Sequence, residues 1–336
     1  MSTAGESAPD ARPDPFSRRR EVAATSARSL LVTVLGEIVL PSEGPVWTQT
    51  VVDVLGLVGI EEKSARQALA RTAADGMLTS ERVGRRVRWD LTPWGRRLLT
   101  EGAARIYAHG RTRPTWDGRW LVLVASVPEQ QRAQRHRLRT RLAWAGLGSP
   151  AAGMWVSPDT DRIDEVREVL AETGPADAHV VTGEYRGSLT ASELAERAWD
   201  LGDLAARYTE FVGRFADLVP PDDAGALAAQ IRLVDAWRRF PFLDPGLPDA
   251  LLPSPWVGHR AAEVFHGRHT AWAAGALSAA AALGLCPGRG PRPPRGPLPG
   301  RRHSAGGEDS GWTPAWIQMV LALTNDCGPK LASSRP

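Results

Sequence analysis

The sequence predicts an α+β protein with three folded parts. Near the N-terminus, three segments with the apolar spacing of helices precede two short strand-like segments joined by a glycine turn. In the middle of the chain, three strand-like segments alternate with two helical ones, and most of the C-terminal part has a helical pattern. A chain of 336 residues is long enough for about two or three domains, so each group of elements can have its own core.

The N-terminal part starts with a polar stretch. Residues 1–25 contain proline and charged side chains without apolar periodicity, which predicts a disordered arm. From Ser26 onward, apolar residues recur at helical spacing, namely at Leu30, Leu31, Val34, Leu35 and Ile38. After a Pro/Gly break, a second helix is expected to start at Thr48, a suitable N-cap residue, and a third is expected over Glu62–Ala74. The Asp-Gly pair after it ends the third helix, since glycine accepts a left-handed C-cap.

A hairpin is predicted next. Its strand-like segments are Met77–Val83 and Val87–Leu91, with a glycine at the tip between them. A further helix is expected over Trp94–Ala104, because Pro93 suits the first turn of a helix. Three helices followed by a hairpin is the element order of a winged helix-turn-helix, a DNA-binding domain, which we place at residues 26–110.

The third helix has the two faces that a recognition helix needs. One side carries small apolar residues that suit packing on the earlier helices: Ala65, Ala68 and Leu69. The other side is polar: Glu62, Lys63, Ser64, Arg66, Gln67 and Arg71. In the major groove, arginine can fork onto guanine and glutamine onto adenine. We therefore predict contacts to DNA from Lys63, Ser64, Arg66, Gln67 and Arg71.

The hairpin carries four arginines around its glycine turn: Arg82, Arg85, Arg86 and Arg88. A basic wing can follow phosphates or enter a minor groove, and we predict that these four side chains contact DNA. Two alternatives stay open from the residues alone. Three helices and a hairpin can form a protein–protein module, and arginines on a hairpin can serve only to keep an edge strand soluble.

The central part, residues 115–188, has the pattern of a ferredoxin-like (split βαβ) domain. Strands are predicted at Trp120–Val127, Gly153–Ser157 and Ala178–Glu184. Helices are predicted at Gln131–Ala145 and Ile163–Glu172.

A helical domain is predicted over residues 189–284. Its helices are expected at Ala191–Leu218, Ala224–Phe240 and Val257 to about Leu283. The proline-rich segment Phe240–Trp256 is expected to be an ordered loop packed on them. Residues 285–336 contain a long Pro/Gly/Arg-rich stretch, which predicts a mostly disordered tail.

Composition argues against several classes of protein. The two cysteines, Cys286 and Cys327, lack the spacing of metal ligands, so neither a disulfide scaffold nor a zinc site is expected. The N-terminus lacks the apolar core of a signal peptide, and the longest weakly polar run, Ala271–Cys286, is too short to span a membrane. The net charge of +3 is only a mild indication of a polyanionic partner. We expect a cytoplasmic, non-enzymatic protein without cofactor or metal, since no GxSxG, Walker or GxGxxG motif occurs.

Several of these segments resemble one known family. They are RSLLVTVLGEIVLP, EEKSARQALARTAADGML, RVGRRVRWDLTPWGRRLL, WDGRWLVLVASVPE, GMWVSP and RFPFLDPGLPDALLPSPWVG. In this order they are similar to the PaaX-like family, the repressors of phenylacetic acid degradation, and they span about Ala27 to Ala273. After about Ala274 the sequence departs from the family pattern, through either an extension or a shifted reading frame.

The resemblance implies both an architecture and a partner set. It implies a winged helix-turn-helix, a ferredoxin-like domain and a helical domain, in a homodimer that binds double-stranded operator DNA and represses catabolic genes. In this family the inducer is typically an aryl-acetyl-coenzyme A thioester, such as phenylacetyl-CoA. The motifs do not identify the effector-binding residues. Five tryptophans are candidates to surround an aromatic ligand, and the alternative is that they only pack in the core or at an interface. They are Trp144, Trp155, Trp237, Trp256 and Trp272.

Three other interpretations compete for parts of the chain. The central domain also resembles the Cas2 type of metal-dependent nuclease, but Ser126 stands near the position where such an enzyme needs a metal-binding aspartate. A basic run, Arg132–Arg141, could contact phosphates of DNA or of coenzyme A, or could be a solvated helix face, which we favour. His259, His266 and His269 with Glu263 offer too few ligands for a metal, and surface or capping roles are expected.

Overall fold

The computed structural model describes residues 26–42, 44–175 and 177–285 as a mixed helical and sheet protein. The chain divides into two compact units. Among the described residues, the first unit holds 26–98 and 283–285, and the second holds 99–282. The predicted disordered arm and all but the first residue of the predicted tail lie outside the described ranges. Within those ranges, the helices are too short or too polar to cross a membrane.

The first unit begins with three helices. They are α1 (Ala27–Val34), α2 (Thr48–Leu57) and α3 (Glu62–Ala74). Ser26 starts α1, since its hydroxyl accepts a hydrogen bond from the Ser29 N–H at 3.1 Å. The helix continues as a π-helical turn (Leu35–Val39) and a last short turn (Leu40–Ser42). The predicted bounds of α3 are confirmed, and Gly76 follows it with φ +80°, which glycine adopts without strain.

Three short strands complete this unit. They are β1 (Val46–Trp47), β2 (Leu78–Val83) and β3 (Arg86–Leu91), in the antiparallel order β1-β3-β2. The β2–β3 hairpin is confirmed, whereas β1 was not predicted because two residues carry no alternation signal. Leu285 is buried, although the sequence placed it in the tail, and the nearby Leu283 carbonyl accepts a hydrogen bond from the Thr50 hydroxyl at 3.1 Å.

Helix α4 (Pro93–Ala108) runs past the boundary between the units and is longer than predicted. Its start is fixed by Thr92, whose hydroxyl accepts from the Gly95 N–H at 2.9 Å. A side chain at Gly95 would not fit, since a Cβ there would lie 2.3 Å from the Met77 carbonyl oxygen. This close approach seats the first turn of α4 against the start of the hairpin.

The second unit contains a four-stranded sheet. Its strands are β4 (Arg119–Ser126), β5 (Gly148–Ala151), β6 (Met154–Ser157) and β7 (Asp177–Glu184). Their order is β5-β6-β4-β7, and every neighbouring pair is antiparallel. The short edge strand β5 was not predicted, because it consists of three small residues and Pro150 and has no apolar alternation.

Two helices pack on one face of this sheet. They are α5 (Arg132–Trp144) and α6 (Ile163–Thr173). Their apolar sides meet the inward side chains of the strands in one core, made of Leu121, Leu123, Ala125, Leu138, Leu142, Leu147, Trp155, Val166 and Val169. The connection is therefore β-α-β-β-α-β, one strand more than the sequence indicated.

The remaining helices are α7 (Ala191–Ala198), α8 (Leu201–Phe215), α9 (Asp223–Trp237), α10 (Phe240–Leu243) and α11 (Val257–Ala282). The sequence predicted α7 and α8 as one helix, which is wrong. Each has its own polar start: Thr190 forms a capping box with Glu193, and the Asp200 carboxylate accepts from the Asp203 N–H at 2.9 Å. The core of these helices is aromatic, with Trp237 stacked on Phe265 at a centroid distance of 4.6 Å.

Candidate nucleic-acid interface

Helix α3 separates its buried and exposed side chains as the sequence predicted. Ala65 and Leu69 are fully buried, and Ala68 is 4% exposed. The opposite side is open to solvent: Lys63, Arg66, Gln67 and Arg71 are exposed, and Ser64 is half-buried. The five side chains assigned to DNA on this helix therefore share one outward surface.

The partners of these side chains differ. Arg66 forms an ion pair with Glu62, one turn earlier, with its Nη2 2.7 Å from Oε1. Lys63, Gln67 and Arg71 have no hydrogen-bond or ion-pair partner in the described part of the chain. Their donors are free to meet an external acceptor without first breaking a contact.

The hairpin arginines are brought together at its tip and along its strands. Arg88 donates from Nε and Nη2 to the Glu81 carboxylate across the strands, at 2.9 and 2.7 Å. Arg82 donates to the Gly84 carbonyl at 3.2 Å, and the Arg86 guanidinium lies 5.6 Å from the centroid of the Trp47 ring. Arg85 is exposed at the turn and has no such partner among the described residues. Arg85 is thus the most available cation of the hairpin.

A hydrogen-bond relay holds the hairpin to α2. The Trp89 indole donates from Nε1 to the Thr48 hydroxyl at 2.8 Å, and this hydroxyl donates to the Val87 carbonyl at 3.0 Å. The sequence assigned Thr48 as a side-chain N-cap of α2. That assignment is wrong, because Trp47 occupies the cap position and makes no side-chain cap bond. Sequence reasoning missed this relay, although a tryptophan amid arginines in a short strand was a signal for it.

A metal-binding cluster was also sought among the described residues. They contain no group of three or more His, Cys, Asp or Glu side chains that could hold a metal. Strand β4 ends at Ser126, one residue before the predicted end, and the register partner of Ser126 on β7 is Asp177, which lies 3.2 Å from His179. These two exposed side chains fall short of the ligand set that a hard cation needs.

The histidines of α11 also have protein partners. His259 lies 2.9 Å from Asp249, and His266 Nε2 lies 3.3 Å from the His109 carbonyl oxygen. His269 Nε2 is 3.3 Å from the Tyr107 hydroxyl.

Of the five tryptophans considered for an aromatic ligand, four are buried in the cores: Trp155, Trp237, Trp256 and Trp272. Trp144 is 39% exposed.

A buried polar network lies within the aromatic core of the second unit. The Tyr208 hydroxyl donates to Asp244 Oδ2 at 2.6 Å, and His109 Nε2 lies 2.9 Å from the same hydroxyl. Burial, reinforced by Asp244, raises the pKa of Tyr208 far above its ordinary value, so the phenol stays protonated. Burial lowers the pKa of His109, although Asp244 opposes this shift. These three residues are far apart in the sequence and belong to no motif that predicts their contact.

Comparison with known proteins identifies the family. Three family models match successive segments: PaaX-like protein (residues 26–95), PaaX protein central Cas2-like domain (113–195) and PaaX-like protein C-terminal domain (199–282). The transcriptional repressor PaaX of Escherichia coli (strain K12) is 31% identical over 252 residues, which cover 71% of this chain and 78% of that protein. The chain belongs to the PaaX family. The resemblance seen in the sequence is thereby confirmed.

A solved structure shares much of the fold of this PaaX family member. The uncharacterized protein Rv0674 from Mycobacterium tuberculosis aligns with a TM-score of 0.54 and 25% identity. The alignment covers 76% of this chain and 99% of that one. The mixed helical and sheet architecture is therefore shared with a second protein.

Proposed function

We propose that this PaaX family member is a DNA-binding transcriptional repressor of catabolic genes. The observation that carries the proposal is the shared outward surface of α3, where one lysine, two arginines and a glutamine face solvent beside buried alanines and leucine. The E. coli relative is a transcriptional repressor, which supports the same conclusion. The domains are proposed to be a winged helix-turn-helix over residues 26–110, a ferredoxin-like domain over 115–188 and a helical domain over 189–284.

The proposed mechanism divides the contacts between two elements. Helix α3 enters the major groove, where Gln67 and Arg66 reach base edges and Lys63, Ser64 and Arg71 reach bases or phosphates. The β2–β3 hairpin acts as the wing. Its arginines (Arg82, Arg85, Arg86 and Arg88) contact phosphates and supply affinity that does not depend on sequence.

Regulation is proposed to come from an aryl-acyl-coenzyme A thioester such as phenylacetyl-CoA. The thioester releases DNA by binding more tightly to a state of the protein that binds DNA poorly. A cytoplasmic homodimer presents two recognition helices, so the operator is proposed to be roughly palindromic.

Fluorescence anisotropy tests the proposal. The full chain is titrated onto a labelled duplex from the region upstream of its own gene, with and without phenylacetyl-CoA. Binding at about 10⁻⁸ M or tighter, weakened by the thioester, is expected for a specific repressor. Absence of binding at low salt would overturn the proposal, and binding that ignores the thioester would remove the effector from it.

A matched pair of variants tests the role of the wing. Arg85→Ala with Arg86→Ala should weaken binding to operator and random duplexes alike and make it less dependent on salt, since about two phosphate contacts are lost. The control is Arg186→Ala with Arg260→Ala, which removes the same charge from exposed arginines that pair with Glu184 and Glu263. Equal losses in the two double variants would contradict the assignment.

A further inference from the structure

Helix α5 of the second unit carries an unusual concentration of positive charge. Its 13 residues include five arginines and one histidine and no acidic residue: Arg132, Arg135, His136, Arg137, Arg139 and Arg141. Two of the arginines have structural roles. Arg141 pairs with Glu172 of α6 at 2.8 Å, and Arg135 lies 3.5 Å from the Val127 carbonyl oxygen.

The other basic residues lie on the side of α5 that faces away from the sheet. Leu138 and Leu142 are fully buried against the strands, which fixes the orientation of the helix. Arg132, His136, Arg137 and Arg139 are exposed and have no ion-pair partner in the described ranges. At a rise of about 1.5 Å per residue, Arg132 and Arg139 lie about 10 Å apart along the axis, so they can reach different phosphates of one DNA strand.

The neighbouring helix has the opposite charge. Helix α6 carries four acidic residues (Asp164, Glu165, Glu168 and Glu172) and one arginine, Arg167, which pairs with Asp164 at 3.0 Å. A surface that only needs to stay soluble usually mixes both signs, so that cations meet carboxylates of their own helix at i+3 or i+4. Helix α5 has no such carboxylate, and its outward arginines remain uncompensated.

We propose that the outward face of α5, formed by Arg132, His136, Arg137 and Arg139, is a second DNA-contacting surface that binds backbone phosphates. The inference rests on the proposed function, because it assumes that the chain binds DNA. Arginine on a helix suits this role, since each guanidinium offers several donors to phosphate oxygens and keeps its charge at all working pH values. The contacts add affinity and salt dependence without sequence preference.

Two triple variants of the full chain test the proposal. The first replaces Arg132, Arg137 and Arg139 with glutamine, which removes the charge but keeps a polar side chain of similar helix propensity. The control replaces Arg167, Arg186 and Arg260 with glutamine. These side chains are 67%, 83% and 62% exposed, lie in the same unit and pair with carboxylates. Since each variant loses three arginines, the change in formal charge is the same in both. Circular dichroism checks that both variants are folded.

Anisotropy with a random-sequence duplex of about 40 base pairs, over a series of KCl concentrations, gives the readout. The α5 variant should bind about tenfold or more weakly at about 0.1 M salt. Its slope of log affinity against log salt should be shallower by about 2.7, because each phosphate contact contributes about 0.9. The control should keep the slope of the unmodified chain.

The possible outcomes separate this inference from the proposed function. Failure of the unmodified chain to bind any duplex would overturn both. Normal binding by the unmodified chain and an unchanged slope in the α5 variant would overturn the α5 surface alone. An unchanged slope with weakened binding of phenylacetyl-CoA, measured by calorimetry, would assign the cations to the phosphates of coenzyme A instead.

Discussion

Arg66 and Gln67 are neighbours on the outward face of α3, but only Arg66 is held by another side chain. Its ion pair with Glu62 must be broken or shared before the guanidinium can fork onto guanine. Gln67 is exposed and has no partner among the described residues, so it can donate and accept toward adenine at no such cost. Gln67 is therefore the sharper test of base reading.

Gln67→Ala should reduce discrimination between operator and random DNA. The expected loss is about 1–3 kcal/mol on the operator and nothing on random duplex, because a bidentate base contact is specific and carries no charge. Gln49→Ala is the control, since Gln49 is an exposed glutamine of α2 that bonds Asp53. Equal weakening on both duplexes would show that Gln67 does not read a base.

The buried His109 makes stability depend on pH. Its pKa is lowered by burial, and Asp244 offsets only part of this effect. The unfolded chain takes up a proton near the ordinary pKa of 6.5, while the folded chain keeps the imidazole neutral to lower pH. The contribution of His109 to stability is therefore largest above about pH 6.5 and falls as the pH decreases toward the folded pKa. The pKa of His266 is lowered in the same direction, mainly by burial.

Urea unfolding at a series of pH values between about 7.5 and 5.5 measures this dependence. His109→Gln should flatten it, leaving the part due to His266, while the amide can still bond the Tyr208 hydroxyl. His136→Gln serves as the control because His136 is exposed on α5. An unchanged pH dependence in His109→Gln would mean that the imidazole has the same pKa in the folded and the unfolded chain.

At the scale of single elements, the sequence predicted those with a strong period or clear end signals. The bounds of α3 were correct because one alanine-rich face alternates with a charged face and an Asp-Gly pair ends it. Strands β1 and β5 were missed because they are short edge strands whose pairing comes from neighbours distant in sequence. The break between α7 and α8 was missed because Trp199 and Asp200 continue the apolar and polar spacing of a helix.

The candidate interface was predictable only in part for the same reason. Exposure of the α3 and hairpin cations follows from local periodicity, and the structure shows them exposed except for Arg88, which is half-buried. The partners of these side chains do not follow from local periodicity. Arg88 bonds Glu81 because of the strand register, and the hairpin bonds α2 through Thr48. Contacts between elements depend on tertiary packing, which no short window of sequence contains.

Thr48→Val should loosen the hairpin from α2. Valine keeps the shape of the side chain but removes the group that accepts from Trp89 and donates to Val87. The expected loss is about 1–2 kcal/mol in the free energy of unfolding, because a half-buried indole N–H and a carbonyl lose their partner. Urea denaturation measures it, and Thr79→Val on the exposed side of β2 is the control. A variant as stable as the control would show that water bonds the Trp89 indole and the Val87 carbonyl equally well.

At the scale of the whole molecule, the proposed repressor couples two binding events in one equilibrium. If phenylacetyl-CoA weakens DNA binding by some factor, DNA must weaken thioester binding by the same factor. Coupling of this kind typically amounts to about 5–150-fold. The coupling factor can be measured from either side, without knowledge of where the thioester binds.

The dependence on thioester concentration separates coupling between two states from direct competition. Coupling predicts that the apparent Kd for the upstream duplex rises with phenylacetyl-CoA and then reaches a plateau, since a ternary complex still forms. Direct competition between thioester and DNA for one cationic surface predicts that the apparent Kd keeps rising with thioester concentration. We expect the plateau, with the same factor obtained by calorimetric titration of thioester into the protein–DNA complex. An unlimited rise, abolished by glutamine at Arg132, Arg137 and Arg139, would instead place thioester and DNA phosphates on the same face of α5.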